Sequence, residues 1–134
     1  MNNYELVMNH NTSPETLDRL ANDEVWQVRH RVAQNPNTSP ETLDRLANDG
    51  VWYVRSWVAD NPNTLTETLA RLADDQNLSV LRRVAENPNT SPETLERLAN
   101  DESCGVRSDV KLNPNTPQYI KQYLKIKSIL SCYE

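Results

Sequence analysis

Residues 35–60 read NPNTSPETLDRLANDGVWYVRSWVAD, and the same pattern precedes and follows this stretch at a fixed interval of 26 residues. Blocks opening at Asn9, Asn35, Asn61 and Asn87 align without a gap, and Asn113 opens a fifth that soon departs from the pattern. A period of this length marks a repeat array, in which each unit buries its apolar face only by stacking on its neighbours. Every block holds two short stretches of helical periodicity. The expected fold is therefore all-α, a solenoid of stacked short helix pairs.

The organisation follows from the period. Residues 1–134 form one repeat domain, with residues 1–8 a partial N-terminal unit, 9–34, 35–60, 61–86 and 87–112 the full repeats, and 113–134 a C-terminal capping helix. Superimposing Asn9 on Asn35 puts Leu6 on Val32, so residues 4–8 read as one terminal helical turn.

In the first half of each unit Thr and Glu stand three apart, at Thr12 and Glu15, Thr38 and Glu41, Thr64 and Glu67, and Thr90 and Glu93. That spacing suits a capping box, in which each side chain satisfies an orphan backbone donor. The third unit keeps Thr and Glu while losing the Ser-Pro pair to Leu65 and Thr66, which makes the cap the expected constant. Leu17, Leu20 and Ala21 then share a face. Glu15 and Arg19, four apart with the acid first, suit an exposed ion pair repeated in all four units.

A break at Asn22 and Asp23 precedes the second helix, where Val25, Val28 and Val32 lie on one side. Asn35 and Pro36 end it, because Pro disfavours helical geometry in the residue before it. Asp23, Asp49, Asp75 and Asp101 form one column and Arg29, Arg55 and Arg107 another, which predicts an Asp-Arg ladder between units. Leu81 breaks the Arg column, with a local change in packing or a shift of the pair to Arg82 expected there. The paired Asn columns, Asn35 and Asn37 onward, predict a second ladder of amides to loop backbone. Cys104 falls in the column of Trp26, Trp52 and Leu78 and reads as a small core residue.

The last segment, TPQYIKQYLKIKSILSCYE, lengthens into an amphipathic helix in which Ile120, Tyr123, Leu124 and Ile126 or Leu130 cover the final layer. Terminal repeats need such a cover.

The formal net charge of -5 weighs against a default nucleic-acid binder. Two cysteines, Cys104 and Cys132, far from any CxxC spacing, fit a reducing compartment and give no metal signature. No basic leader and no apolar run of membrane-spanning length is present, so the expected place is the cytoplasm. His10 and His30 are the only histidines, and neither stands near a Cys or carboxylate at ligand spacing. Neither a catalytic constellation nor a cofactor site emerges, and the protein reads as no enzyme.

Val-Arg, two residues, Val-Ala, one residue, Asn-Pro-Asn-Thr, then a Pro-Glu helix ending Leu-Ala is a pattern that resembles the leucine-rich repeat variant family of bacterial proteins. The resemblance runs from Asn9 to about Leu124. It implies a right-handed, HEAT-like solenoid in which two short helices alternate, one of them sometimes 3₁₀. Family members with an N-terminal cysteine cluster can carry an iron-sulfur centre. No Cys precedes Cys104 in this chain, so that cofactor is not implied.

Two columns on the outer face of the second helix vary while the Val columns do not. They are Arg31, Trp57, Arg83, Asp109 and Gln27, Tyr53, Ser79, Gly105. Variable columns on a constant scaffold are where a repeat protein places recognition, and Tyr53 and Trp57 are neighbours on one helix. With Arg31, Arg83, His30 and Arg82 around them they form the candidate surface for a protein or peptide partner of a monomeric array. Against this stands shielding of a thin core by Trp57. The alternative partner is nucleic acid, held through His30, Arg31, Arg82 and Arg83 on phosphates.

Overall fold

A computed structural model describes residues 1–131, so Cys132 lies outside the described residues. Those residues form ten α-helices and no strand. The first helices of the four units are α2 (Pro14–Leu20), α4 (Pro40–Leu46), α6 (Thr66–Leu72) and α8 (Pro92–Leu98). The second helices are α3 (Trp26–Gln34), α5 (Trp52–Asp60), α7 (Leu78–Glu86) and α9 (Cys104–Leu112). Before them comes α1 (Asn3–Met8), which occupies a second-helix place, and after them α10 (Gln118–Ser131), which begins at a first-helix place.

Helices of seven to nine residues are too short to persist alone, and stacking supplies the stability. The second helices pack directly on one another in a continuous row from α1 to α9, each also against the first helices beside it. Between the rows lies one core. Leu17, Leu43, Leu69 and Leu95 from the first helices meet Val32, Val54, Val58, Val80, Val84, Val106 and Val110 from the second, all fully buried.

The expected Asn ladder is present. Asn61 Nδ2 donates to the Ala33 carbonyl at 2.8 Å and Asn87 Nδ2 to the Ala59 carbonyl at 2.7 Å, while Asn113 repeats the bond to Ala85 at 2.7 Å. These carbonyls belong to the last turn of a second helix, where four acceptors lack an intrahelical donor. The Asp-Arg ladder is present as well. Arg29 Nε and Nη2 fork onto Asp49 at 2.7 and 3.2 Å, and Arg55 onto Asp75 at the same distances. Two parallel bonds in a largely water-excluded place are the strong form of this interaction. At Leu81 the pair moves to Arg82, but its acceptor is Asp109 at 2.7 Å and not the ladder's Asp101.

Five expectations are corrected. The Thr residues are not the caps: Ser13, Ser39 and Ser91 are, each accepting from the backbone N–H three residues on at 3.1–3.2 Å. Thr12, Thr38, Thr64 and Thr90 turn inward and donate to the carbonyl six residues earlier, as Thr38 does to Val32 at 2.5 Å. The third unit, with Leu65 at this place, has no side-chain cap at all. The true capping box is Asn2 with Glu5 on α1.

The Glu15–Arg19 pairs do not form among the described residues. Arg45 reaches Asp18 of the preceding unit at 2.9 Å, Arg71 reaches Asp44, and Arg97 reaches Asp74 at 3.0 Å. Thr42 and Thr68 donate to the same acids at 2.7 and 2.6 Å. The arginine thus bridges first helices that touch little, a better use of its length than a partner on its own turn.

The column of Trp26, Trp52, Leu78 and Cys104 is exposed, because it lies at the first residue of each second helix and off the core side. Val25 is exposed for the same reason, as the residue before the helix. On α10, Ile120 and Leu124 are buried as expected, whereas Tyr123, Ile126 and Leu130 face outward.

Candidate interaction surface

The stacking of α3, α5 and α7 brings side chains of three units onto one face. Trp26 and His30, four apart on α3, meet Tyr53 and Trp57, four apart on α5. Ring centroids of His30 and Tyr53 are 5.2 Å apart, those of His30 and Trp57 5.8 Å, and those of Trp26 and Tyr53 5.9 Å. Tilted and edge-on arrangements at these distances are the favourable ones for aromatic pairs. Trp52 joins from the same helix, 5.0 Å from Tyr53. Tyr53 is 42 % exposed and Trp52 41 %, while Trp57 is half-buried and packs against the core. Shielding and display are therefore both properties of Trp57.

From α7, the Arg83 guanidinium lies 5.9 Å from the Trp57 ring centroid, within cation–π range. It is also within 3.3 Å of Glu86 and 3.5 Å of Asp60. Arg82 forks onto Asp109, and that hydrogen bond holds its already high pKa higher still. Tyr53, Trp57, Arg82 and Arg83, with Ser79 and Glu86, line an open pocket of about 390 Å³. Arg31 stands apart from this group. It lines a second pocket of about 340 Å³ with Val7, Met8, His10, Pro36 and Trp57, and its guanidinium lies 5.8 Å from the Tyr4 ring centroid.

Burial among these rings, and then the Arg31 charge, pushes the His30 imidazole below its ordinary pKa. His30 is thus held in the neutral form and acts as a ring in the cluster more than as a cation.

The six candidate residues therefore lie on one face: Tyr53, Arg82 and Arg83 line one pocket, Arg31 the other, Trp57 both, and His30 sits in the ring cluster and lines neither. Sequence reasoning missed Trp26, Trp52, Tyr4, Met8 and His10. The signal for the tryptophans was present, since their column runs Trp, Trp, Leu, Cys and varies like the other outward columns. Among the described residues no three His, Cys, Asp or Glu side chains gather in a metal-binding group, and no helix is long and apolar enough to cross a membrane.

A model of the leucine rich repeat variant family matches residues 26–50 and 80–103. Each matched stretch runs from a second helix through the Asn-Pro loop into the next first helix. No curated protein and no solved structure matches the chain.

Proposed function

We propose that this array of leucine rich repeat variant repeats is a non-enzymatic scaffold that binds a protein or peptide partner, as a monomer in the cytoplasm. The contact surface is the second-helix face around Tyr53, Trp57, Arg31 and Arg83, with His30 and Arg82 at its edges. The observation that carries this reading is the aromatic cluster of Trp26, His30, Tyr53 and Trp57, which joins two units and remains open to solvent beside Arg83. The third and fourth units do without these rings, so none of them belongs to the shared ladders of the repeat, although Trp57 also packs against the core. Clustered aromatic and Arg side chains are the residues that dominate binding energy at interfaces.

The nucleic-acid alternative finds less support. Arg82 and Arg83 already hold carboxylates, and Arg45, Arg71 and Arg97 of the first helices do too. Counterion release needs cations free to neutralise phosphates.

Affinity capture from the source cell, comparing the native chain with Tyr53→Ala/Trp57→Ala, tests the reading. A partner bound by the native chain and lost by the variant, with helicity by circular dichroism unchanged, is the expected result. Identical partners from both would sink the assignment of the surface. Titration with generic duplex and single-stranded DNA at low salt should show no binding, and a salt-dependent shift would favour the alternative.

A further inference from the structure

The arginines of the second-helix row are not equivalent. Arg29 is held by Asp49, Arg55 by Asp75, Arg82 by Asp109, and Arg83 by Asp60 and Glu86. Arg31 donates instead to Gln34 Oε1 at 2.9 Å and to the Tyr4 hydroxyl at 3.3 Å, both neutral groups. Its positive charge has apolar walls around it, made by Val7, Met8, Pro36 and Trp57. A forked guanidinium between apolar walls is a place where a carboxylate binds well, because the geometry is bidentate and water competes less.

The pocket beyond Trp57 has the opposite character. Its arginines are already matched by Asp109, Glu86 and Asp60, so a further acid there meets repulsion, while Trp52, Tyr53 and Trp57 offer apolar surface. Stacked helices lie about 8–10 Å apart, and an extended chain advances about 3.3 Å per residue. Passing from one pocket to the next therefore takes about three residues of extended chain.

We propose that the partner is an extended peptide segment that crosses Trp57, with an Asp or Glu side chain on Arg31 and an apolar side chain about three residues away in the pocket beside Arg83. This rests on the peptide-binding reading above. Because the two pockets flank one side chain, the segment runs through the surface and does not end on it.

The test is selection from a positional-scanning library of octapeptides, acetylated at the N-terminus and amidated at the C-terminus, on the immobilised full chain. The native protein is expected to select Asp or Glu at one position and a large apolar residue about three positions away. Arg31→Glu should exchange the acidic preference for Lys or Arg and keep the apolar one. Arg31→Gln, a milder change that guards against misfolding, should lose the charge preference and weaken the selected peptide by about tenfold to a hundredfold. An acidic preference unchanged in both variants overturns the role of Arg31 while leaving the surface assignment standing. Selection only from a parallel set with free C-terminal carboxylates overturns the through-running segment. No peptide enriched by the native chain would remove the peptide-binding reading itself, and this inference with it.

Discussion

The side-chain amide of Asn61 crosses the boundary between two units to donate to the Ala33 carbonyl at 2.8 Å, and the same nitrogen reaches the Asn35 carbonyl at 3.2 Å. Asn61 is 3 % exposed, so the acceptors it serves have no ready access to water. Asn61→Ala should lower the unfolding free energy by about 1–3 kcal/mol, the cost of leaving a buried polar group unmatched. Asn9 occupies the same column, but its side chain is exposed and makes a turn bond, accepting from the Asn11 N–H at 2.9 Å. Asn9→Ala should therefore cost no more than about 0.5 kcal/mol. Urea denaturation of the two variants measures the difference, and equal losses would contradict the ladder as an inter-unit device.

A second prediction follows from Thr38, whose hydroxyl donates to the Val32 carbonyl at 2.5 Å in a fully buried place. Thr38→Val keeps the shape and removes the donor, and a loss of about 1 kcal/mol is expected. Glu41, the supposed partner in a capping box, is exposed and has no such bond, so Glu41→Gln should stay within about 0.5 kcal/mol. Thermal unfolding of both variants decides between strap and cap: a larger effect at Glu41 would restore the cap.

Thr38 also shows where reading the chain succeeds and where it stops. A strict period makes columns visible, and columns that repeat one polar residue beside another are legible as ladders; both the Asn and the Asp-Arg ladders were read this way. A spacing rule alone cannot tell which of two adjacent hydroxyls, Thr38 or Ser39, caps α4, because both stand close enough to its first turn. That choice depends on Val32, six residues back across a turn, whose carbonyl claims the threonine. Arg19 and its equivalents were misread likewise, since an acid four residues away on the same helix is visible in one unit and Asp18 beneath Arg45 is not. The aromatic cluster was half legible. Tyr53 and Trp57 stand together on α5, but His30 and Trp26 join them only through the stacking of α3 on α5.

His30 supplies a pH dependence. Its imidazole titrates below the ordinary value of about 6.5 because burial among Trp26, Tyr53 and Trp57, and then the charge of Arg31, disfavour the cation. Between the lowered folded value and the unfolded value the unfolded chain binds more protons, so stability rises with pH across that window. The contribution is complete above about pH 6.5 and is lost as the pH falls through the folded value. Denaturation midpoints of the native chain and His30→Gln, compared at about pH 7.5 and about pH 5, read this directly. The native chain should lose more on acidification than the variant, and parallel losses would mean that His30 is not held neutral.

The alanine that follows the last inward valine of α3, α5 and α7 tests why the stack has its spacing. Ala33, Ala59 and Ala85 are fully buried, and the next unit approaches so closely that Asn87 bonds the Ala59 carbonyl at 2.7 Å. The same column holds Lys111 in α9, where the neighbour is α10 and the lysine side chain stays exposed. Ala59→Lys would have to push α5 and α7 apart or bury an unpaired ammonium, and should cost at least about 3 kcal/mol. Lys111→Ala removes a solvated charge and should change stability by no more than about 0.5 kcal/mol. Chemical denaturation followed by circular dichroism separates the two cases. A tolerated Ala59→Lys would show that the row of second helices is looser than its buried alanines require.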